Sequence, residues 1–340
     1  MVHSATAKAP SNIAFVKYWG VADAALTIPY NESVSMNLDA CSTTTTVTFD
    51  EGLGQDEVAI AWYEQPLQPM SGRQYDRVVA QLDRVRARAN IQTRARVTSA
   101  NNFPADAGIA SSASAFAALT LAAVAAAGLE LDERELSILT RQSGSGSACR
   151  SIPDGFVHWR NDGTDAGSYA VSVAPPDAWA LADIVAVVDA GAKRVSSSDN
   201  HARAASSPYF PVRLQEVPDR IAQTLLAIRD HDLGMLGAVC EADAVSMHVV
   251  AMTSVPPTFY WNAGTMAVIH ALHRWRNEGL FAYFTMDAGA NVHVICADAD
   301  SAEVDRRLRE LPEVQWTIVN RPARGAQLVE DLSPRKDPNQ

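Results

Sequence analysis

A run of small residues, Pro104-Ala105-Asp106-Ala107-Gly108-Ile109-Ala110-Ser111-Ser112-Ala113, leads directly into an alanine-rich stretch that predicts a helix from Ser111 to Ala127. Such a junction presents unpaired backbone N–H groups at the positive end of a helix dipole, an arrangement that holds phosphate. Gly108 and the alanines let a polyphosphate approach the backbone, and Ser111 and Ser112 can cap the helix or ligate a metal. No Gly-Lys-Ser/Thr follows, so the loop is not of the Walker type. Taken alone, the junction is as often a simple N-cap.

Length and composition narrow the field. The 340 residues suffice for one large or two modest domains. Hydrophobic residues make up 47% and charged residues 20%, the balance of an ordinary globular protein. The net charge of −11 argues against nucleic acid or an anionic membrane as partner. No stretch reads as a leader or as an apolar span long enough to cross a bilayer; Ala113–Leu129 comes closest and reads as a buried helix. Cys41, Cys149, Cys240 and Cys296 lack metal or disulfide spacing and read as reduced, buried thiols of a cytoplasmic protein.

Along the chain, strands are predicted at Ser11–Lys17, Thr43–Phe49, Val58–Tyr63, Thr93–Ser99 and Ile184–Val188. Helices are predicted at Arg73–Asn90, Leu131–Gln142, Pro211–Arg229, Leu233–Met252, Gly264–Glu278 and Ala302–Leu311, with a solvated charged face on the first. Phe281–Met286 and Asn291–Ala297 read as a hairpin around Asp287-Ala288-Gly289-Ala290. A strand-rich first half and a helix-rich second half point to an α+β fold. The tail after about Leu332 is expected to fray.

Three further segments carry chemistry: Asn12-Ile13-Ala14-Phe15-Val16-Lys17-Tyr18-Trp19-Gly20, Gly144-Ser145-Gly146-Ser147-Ala148-Cys149-Arg150-Ser151, and Met286-Asp287-Ala288-Gly289-Ala290-Asn291-Val292. With the small-residue loop, and in this order, they resemble the mevalonate diphosphate decarboxylases of the GHMP kinase superfamily. The resemblance runs from about Ala9 to about Ala297 and includes Pro256-Pro257-Thr258-Phe259-Tyr260. It implies two lobes, drawn at 1–182 and 183–332, with the active site in the cleft between them. It also implies Mg2+ and ATP as cofactors, a 5-phosphorylated mevalonate as substrate, and a homodimer.

In the implied reaction ATP phosphorylates a tertiary 3-hydroxyl, and loss of phosphate with CO2 leaves a terminal alkene. The resemblance makes Asp287 the candidate carboxylate for the 3-hydroxyl; read without the resemblance, it is more simply an Asx-turn residue of the hairpin. Lys17 follows an apolar strand, where a lone lysine is usually solvated; the resemblance sets it near Asp287 and the transferred phosphoryl group. Arg150 suits a bidentate grip on the substrate carboxylate. The resemblance places Tyr18, Ser145, Gly146, Ser147 and Ser197 around the substrate. The loop 144–147 could otherwise be a flexible connector. Pro104, Gly108, Ala110, Ser111 and Ser112 are expected around the ATP phosphates, with Ser112 on Mg2+. The histidines, His248 among them, read as core or surface residues, and the tryptophans as packing.

The sequence departs from the resembled pattern at several places, among them Pro153-Asp154, which replaces an aromatic or aliphatic residue plus Gly before Gly155-Phe156-Val157. Val21 stands where a second lysine is common, and Ser198 where an arginine is common in bacterial members. Both changes remove a cation near the 5-substituent, which should weaken a diphosphate more than a monophosphate. Mevalonate 5-phosphate is therefore the expected substrate, with mevalonate 5-diphosphate as the alternative if Lys193 or Arg194 compensates. Asp106 puts a carboxylate in a loop expected to hold phosphate. A 3-kinase that stops before decarboxylation is a further alternative, as is a non-catalytic sensor on the same fold.

Overall fold

The computed structural model describes residues 3–104, 109–191 and 197–329, without the side chains of Ser197 and Ser198. The chain forms β1 (His3–Val16), β2 (Val21–Asp23), β3 (Ile28–Pro29), β4 (Ser33–Phe49), β5 (Glu57–Ala61), β6 (Gln68–Pro69), α1 (Gly72–Ala89) and β7 (Ala95–Asn101). Next come α2 (Ser111–Ala126), α3 (Glu133–Arg141), a 3-10 segment at Gly146–Ser151, β8 (Phe156–Arg160), β9 (Tyr169–Ala174) and β10 (Leu181–Val187). The remainder is α4 (Ser197–Arg203), α5 (Phe210–Asp230), α6 (Leu233–Thr253), α7 (Ala263–Asn277), β11 (Ala282–Thr285), β12 (Val292–Ala297), α8 (Ser301–Arg309), β13 (Trp316–Asn320) and β14 (Gln327–Leu328).

Eight strands form one sheet in the order β14-β1-β4-β7-β5-β6, with β8 on the first part of β4 and β9 beyond it. Its pairs are antiparallel except β5 with β7. The second sheet has the order β11-β12-β10-β13. Beyond the second sheet the chain returns to the first, where β14 pairs with β1 through Ala7 and Lys8.

The packing explains the patterning. α1, α2 and α3 lay Leu82, Val85, Phe116, Leu119 and Leu139 on Ala7, Ala9, Val47 and Val97 of the first sheet. α2 is apolar around most of its circumference because most of it is enclosed in the core. Alternate residues of β10 face opposite ways: Leu181, Val185 and Val187 meet α5, α6 and the first sheet, while Ala182, Ile184 and Ala186 meet α7 and α8. That strand therefore reads as an unbroken apolar run.

Several expectations are corrected. The first strand begins at His3 rather than Ser11, and Thr43–Phe49 is only the second part of the 17-residue β4. β8, β9, β13, β14 and α4 were not expected from the sequence. α6 is long and apolar enough, by length and composition, to cross a membrane. Here it is a core helix that carries the buried Asp243. All four cysteines are buried and unpaired.

Candidate active site

Three distant pieces of chain converge on one cleft. Lys17 leaves the end of β1, Arg150 sits in the 3-10 segment, and Asp287 lies in the turn between β11 and β12. Lys17 Nζ donates to Asp287 Oδ1 at 2.8 Å and to the Ala14 carbonyl at 2.6 Å. The carboxylate is thus turned toward Lys17. The turn itself is held by Asn291, which accepts from the backbone N–H groups of Val188 and Asp189, and by Thr265, which donates to the Ala290 carbonyl.

Burial pushes the pKa of Asp287 up, but the Lys17 ammonium, His293, the hydrogen bond from Lys17 and Arg150 outweigh it, and the net direction is down. The carboxylate is therefore ionised at neutral pH. Tyr18 is pushed up to about 12, by burial first, and stays a neutral phenol.

Lys17 is itself clamped through its backbone. Its N–H donates to Asp243 Oδ2 at 2.7 Å, and its carbonyl accepts from Arg213 Nη2 at 2.7 Å. Arg213 and Asp243 are both buried and pair with each other at 3.0 Å, and Arg220 also reaches Asp243 at 3.3 Å. Both polar faces of the Lys17 residue are thus fixed by a buried ion pair that joins α5 to α6.

Arg150 is buried and held from behind. Its Nε and Nη2 donate to Asn12 Oδ1, at 3.2 and 2.9 Å, and its Nη1 to Ser33 Oγ at 2.7 Å. Three of its five N–H groups are used in this way. Asn12 in turn donates to the Ser147 carbonyl at 3.1 Å. Gly146 is required by close approach: a Cβ there would stand 2.8 Å from the Trp159 ring and 3.1 Å from Tyr18. The segment read as a possible flexible connector is instead a 3-10 turn wedged under those aromatics.

At the small-residue loop, the residue before the first turn of α2 is Ala110, which has no capping side chain. Ala110, rather than Ser111 or Ser112, thus occupies the cap position of α2. Ser112 accepts from Ser145 Oγ at 3.0 Å, and Ser11 Oγ donates to the carbonyls of Ile109 and Ala110. Gly108, Asp106, Lys193, Arg194 and Ser196 lie outside the described residues, as do the side chains of Ser197 and Ser198.

The cleft brings together Lys17, Tyr18, Ala110, Ser112, Ser145, Ser147, Arg150 and Asp287. Pro104 lines neither this cleft nor the neighbouring apolar trough; Ser111 lines the trough. The trough is walled by Val58, Ile60, Trp62, Phe116 and Leu119, and it shares Ser112 and Arg77 with the cleft. Arg77 lies 4.6 Å over the Phe116 ring, so the charged face of α1 is not wholly solvated. His201 also lines the cleft. Sequence reading missed both residues: neither stands in a motif, and only tertiary packing carries them to the site.

A mixed α+β fold built on two large sheets, with a small-residue loop at one wall of the cleft and a hairpin carboxylate at the other, is the GHMP-kinase-like architecture. Comparison with known proteins narrows this. Residues 9–170 match the diphosphomevalonate decarboxylase-like N-terminal domain, and residues 183–333 the mevalonate 5-diphosphate decarboxylase C-terminal domain. A diphosphomevalonate decarboxylase of Candida albicans is 34% identical over 320 residues, spanning 89% of this chain and 87% of the relative. A phosphomevalonate decarboxylase of Haloferax volcanii is 32% identical over 292 residues, spanning 85% and 87%. The solved structure "MDDEF in complex with MVAPP, AMPPCP and Magnesium" matches with a TM-score of 0.89 at 35% identity, covering 97% of this chain and all of that one. The chain belongs to the diphosphomevalonate decarboxylase family.

Proposed function

We propose that this enzyme uses ATP to decarboxylate a 5-phosphorylated mevalonate, with mevalonate 5-phosphate as the preferred substrate and isopentenyl phosphate as product. The observation that carries the reading is the ionised Asp287–Lys17 pair, which shares one cleft with Arg150 and Ser112. Asp287 orients the 3-hydroxyl and accepts its proton as the phosphoryl group arrives. Because that transfer has a loose transition state, position matters more than basicity. Lys17 keeps the carboxylate ionised and faces the charge on the transferred group. Arg150 grips the substrate carboxylate with its two remaining N–H donors. The C–C bond to the carboxylate then breaks, its electron pair forms the alkene, and phosphate leaves C3 with the C–O bonding pair as CO2 departs.

Tyr18 and the loop Ser145-Gly146-Ser147, together with Ser197, hold the 5-phosphate end. The apolar trough suits the base of the nucleotide, and Ser112 and Arg77 at its junction with the cleft suit the phosphates. Pro104, Gly108, Ala110 and Ser111 complete that wall. Among the described residues no group of three or more His, Cys, Asp or Glu could hold a metal, which fits an ion carried largely by nucleotide phosphates. Bound Mg2+, with Ser112 as protein ligand, would neutralise phosphate charge. We assign lobes at 1–182 and 183–332, and a cytoplasmic homodimer, to the same proposal.

Support for the monophosphate is the pair of missing cations, at Val21 and Ser198, and the similarity to the Haloferax volcanii enzyme. The diphosphate is the second reading, favoured by the names of most relatives, among them the Candida albicans enzyme. The test is release of ADP and CO2 from mevalonate 5-phosphate with Mg-ATP. Equal amounts are expected; ADP without CO2 would make the protein a 3-kinase.

A further inference from the structure

We infer that His201 is a specificity-determining residue of the cleft, a neutral imidazole whose Nε2–H donates to the phosphoryl end of the substrate beside the position where Val21 offers no cation. This rests on the substrate reading above and deepens it.

Geometry sets the tautomer. The Gly20 N–H donates to His201 Nδ1 at 3.0 Å, so Nδ1 is an acceptor and the ring proton resides on Nε2. The same bond ties the ring to the residue immediately before Val21. The ring is also fixed in plane: it stacks on Tyr18 at 4.3 Å and 14°, and leans on Trp19 at 4.6 Å. Gly20 can hold its side of the contact because it has a φ of +86° and no Cβ; one built there would stand 2.7 Å from the Phe210 ring. The imidazole lines the cleft with Lys17, Tyr18, Ser147, Arg150 and Asp287.

Charge agrees with the tautomer. Burial and the Arg150 guanidinium lower the His201 pKa to about 3, against an opposing pull from Asp287. Tyr18, the other titratable group packed on the ring, remains a neutral phenol. A rigid neutral donor satisfies one oxygen of a phosphoryl group but adds no positive charge. A lysine would instead favour the ligand with more negative charge. The stacked histidine therefore serves a monophosphate, and the extra charge of a diphosphate gains no counter-charge from it.

The test compares His201→Phe, which keeps an aromatic ring against Tyr18 but loses the donor, with His201→Gln, which restores an N–H. KM and kcat are measured for mevalonate 5-phosphate, mevalonate 5-diphosphate and ATP, with binding of mevalonate 5-phosphate followed by calorimetry. The inference predicts that His201→Phe raises KM and weakens binding of mevalonate 5-phosphate about tenfold, the scale of one hydrogen bond to a charged group. The KM for ATP and kcat should stay within about threefold, and His201→Gln should recover most of the loss. An unchanged KM in His201→Phe overturns the inference, as does an equal rise in KM for ATP or a fall in kcat alone. If His201→Phe does not fold, an unimpaired KM in His201→Gln sustains the inference, and a tenfold rise overturns it. Wild-type preference for the diphosphate would sink the substrate reading instead, and His201→Phe would still separate phosphoryl recognition from packing.

Discussion

The polar cleft and the apolar trough share Ser112 and Arg77, yet their side chains are held in place by different means. In the trough, Val58, Phe116 and Leu119 are fixed by the same sheet-on-helix packing that folds the first sheet, and shape does the work. In the cleft the three charged groups of the sequence motifs each have a buried hydrogen-bond partner: Asp243 and Arg213 on the backbone of Lys17, Asn12 and Ser33 behind Arg150, and Lys17 in front of Asp287. Hydrophobic walls tolerate small changes of shape, whereas a buried charge that loses its partner keeps its desolvation penalty. The two regions should therefore fail differently: cleft variants in turnover or folding, and trough variants in nucleotide KM.

The largest effect is expected at Asp287. Asp287→Asn retains the shape and removes the proposed proton acceptor, so kcat should fall by about 10³-fold or more while the fold persists, as read by single-turnover assay and circular dichroism. Next is the clamp behind Lys17. Asp243→Asn leaves Arg213 buried without its counter-charge, and stability should fall by about 3–5 kcal/mol in urea unfolding. A loss below about 1 kcal/mol would show that the clamp is not a stabilising pair.

Lys17→Met separates charge from fold. Asp287 has a lowered pKa although burial alone would raise it, so it stays ionised as pH falls and protonates only below the ordinary carboxylate range. Its stabilising contribution is present above the unfolded-state value and is lost as pH drops through the lowered one. With Lys17 gone, burial is less opposed, and the acidic limb of kcat/KM should move to higher pH. An unmoved limb would mean that another group titrates there. The smallest effect is expected at the junction: Arg77→Met should raise the KM for ATP about tenfold with little change in that for the mevalonate substrate.

What was legible in the sequence divides along the same line. Lys17, Arg150 and Asp287 stand in contiguous motifs, and α1, α2, α5, α6 and α7 announce themselves by period or by alanine and apolar content; all were found within a residue or two. The first part of β4 was hidden because Ser33, Ser35 and Asn37, which alternate with Val34 and Met36, are polar yet buried, in a stretch held by pairing with β8. The short β8–β9 pair carries little local signal apart from that pairing. Asp243 and Arg213 were invisible because neither stands in a motif: Asp243 follows Glu241 on the apolar α6, Arg213 is one of several charges on α5, and each gains meaning only when α5 and α6 meet over Lys17. His201 and Arg77 were missed for a related reason, since a histidine outside ligand spacing and an arginine in a charged helix both have common, unremarkable roles.

The central proposal is that the cleft takes a single phosphate at the 5-position. The direct measurement is kcat/KM for CO2 release, with saturating Mg-ATP, from mevalonate 5-phosphate and mevalonate 5-diphosphate in parallel, for the wild type and Val21→Lys. The account predicts that the wild type favours the monophosphate by about tenfold or more, and that Val21→Lys narrows or reverses the ratio. A wild type that favours the diphosphate, with a ratio indifferent to Val21→Lys, would contradict it.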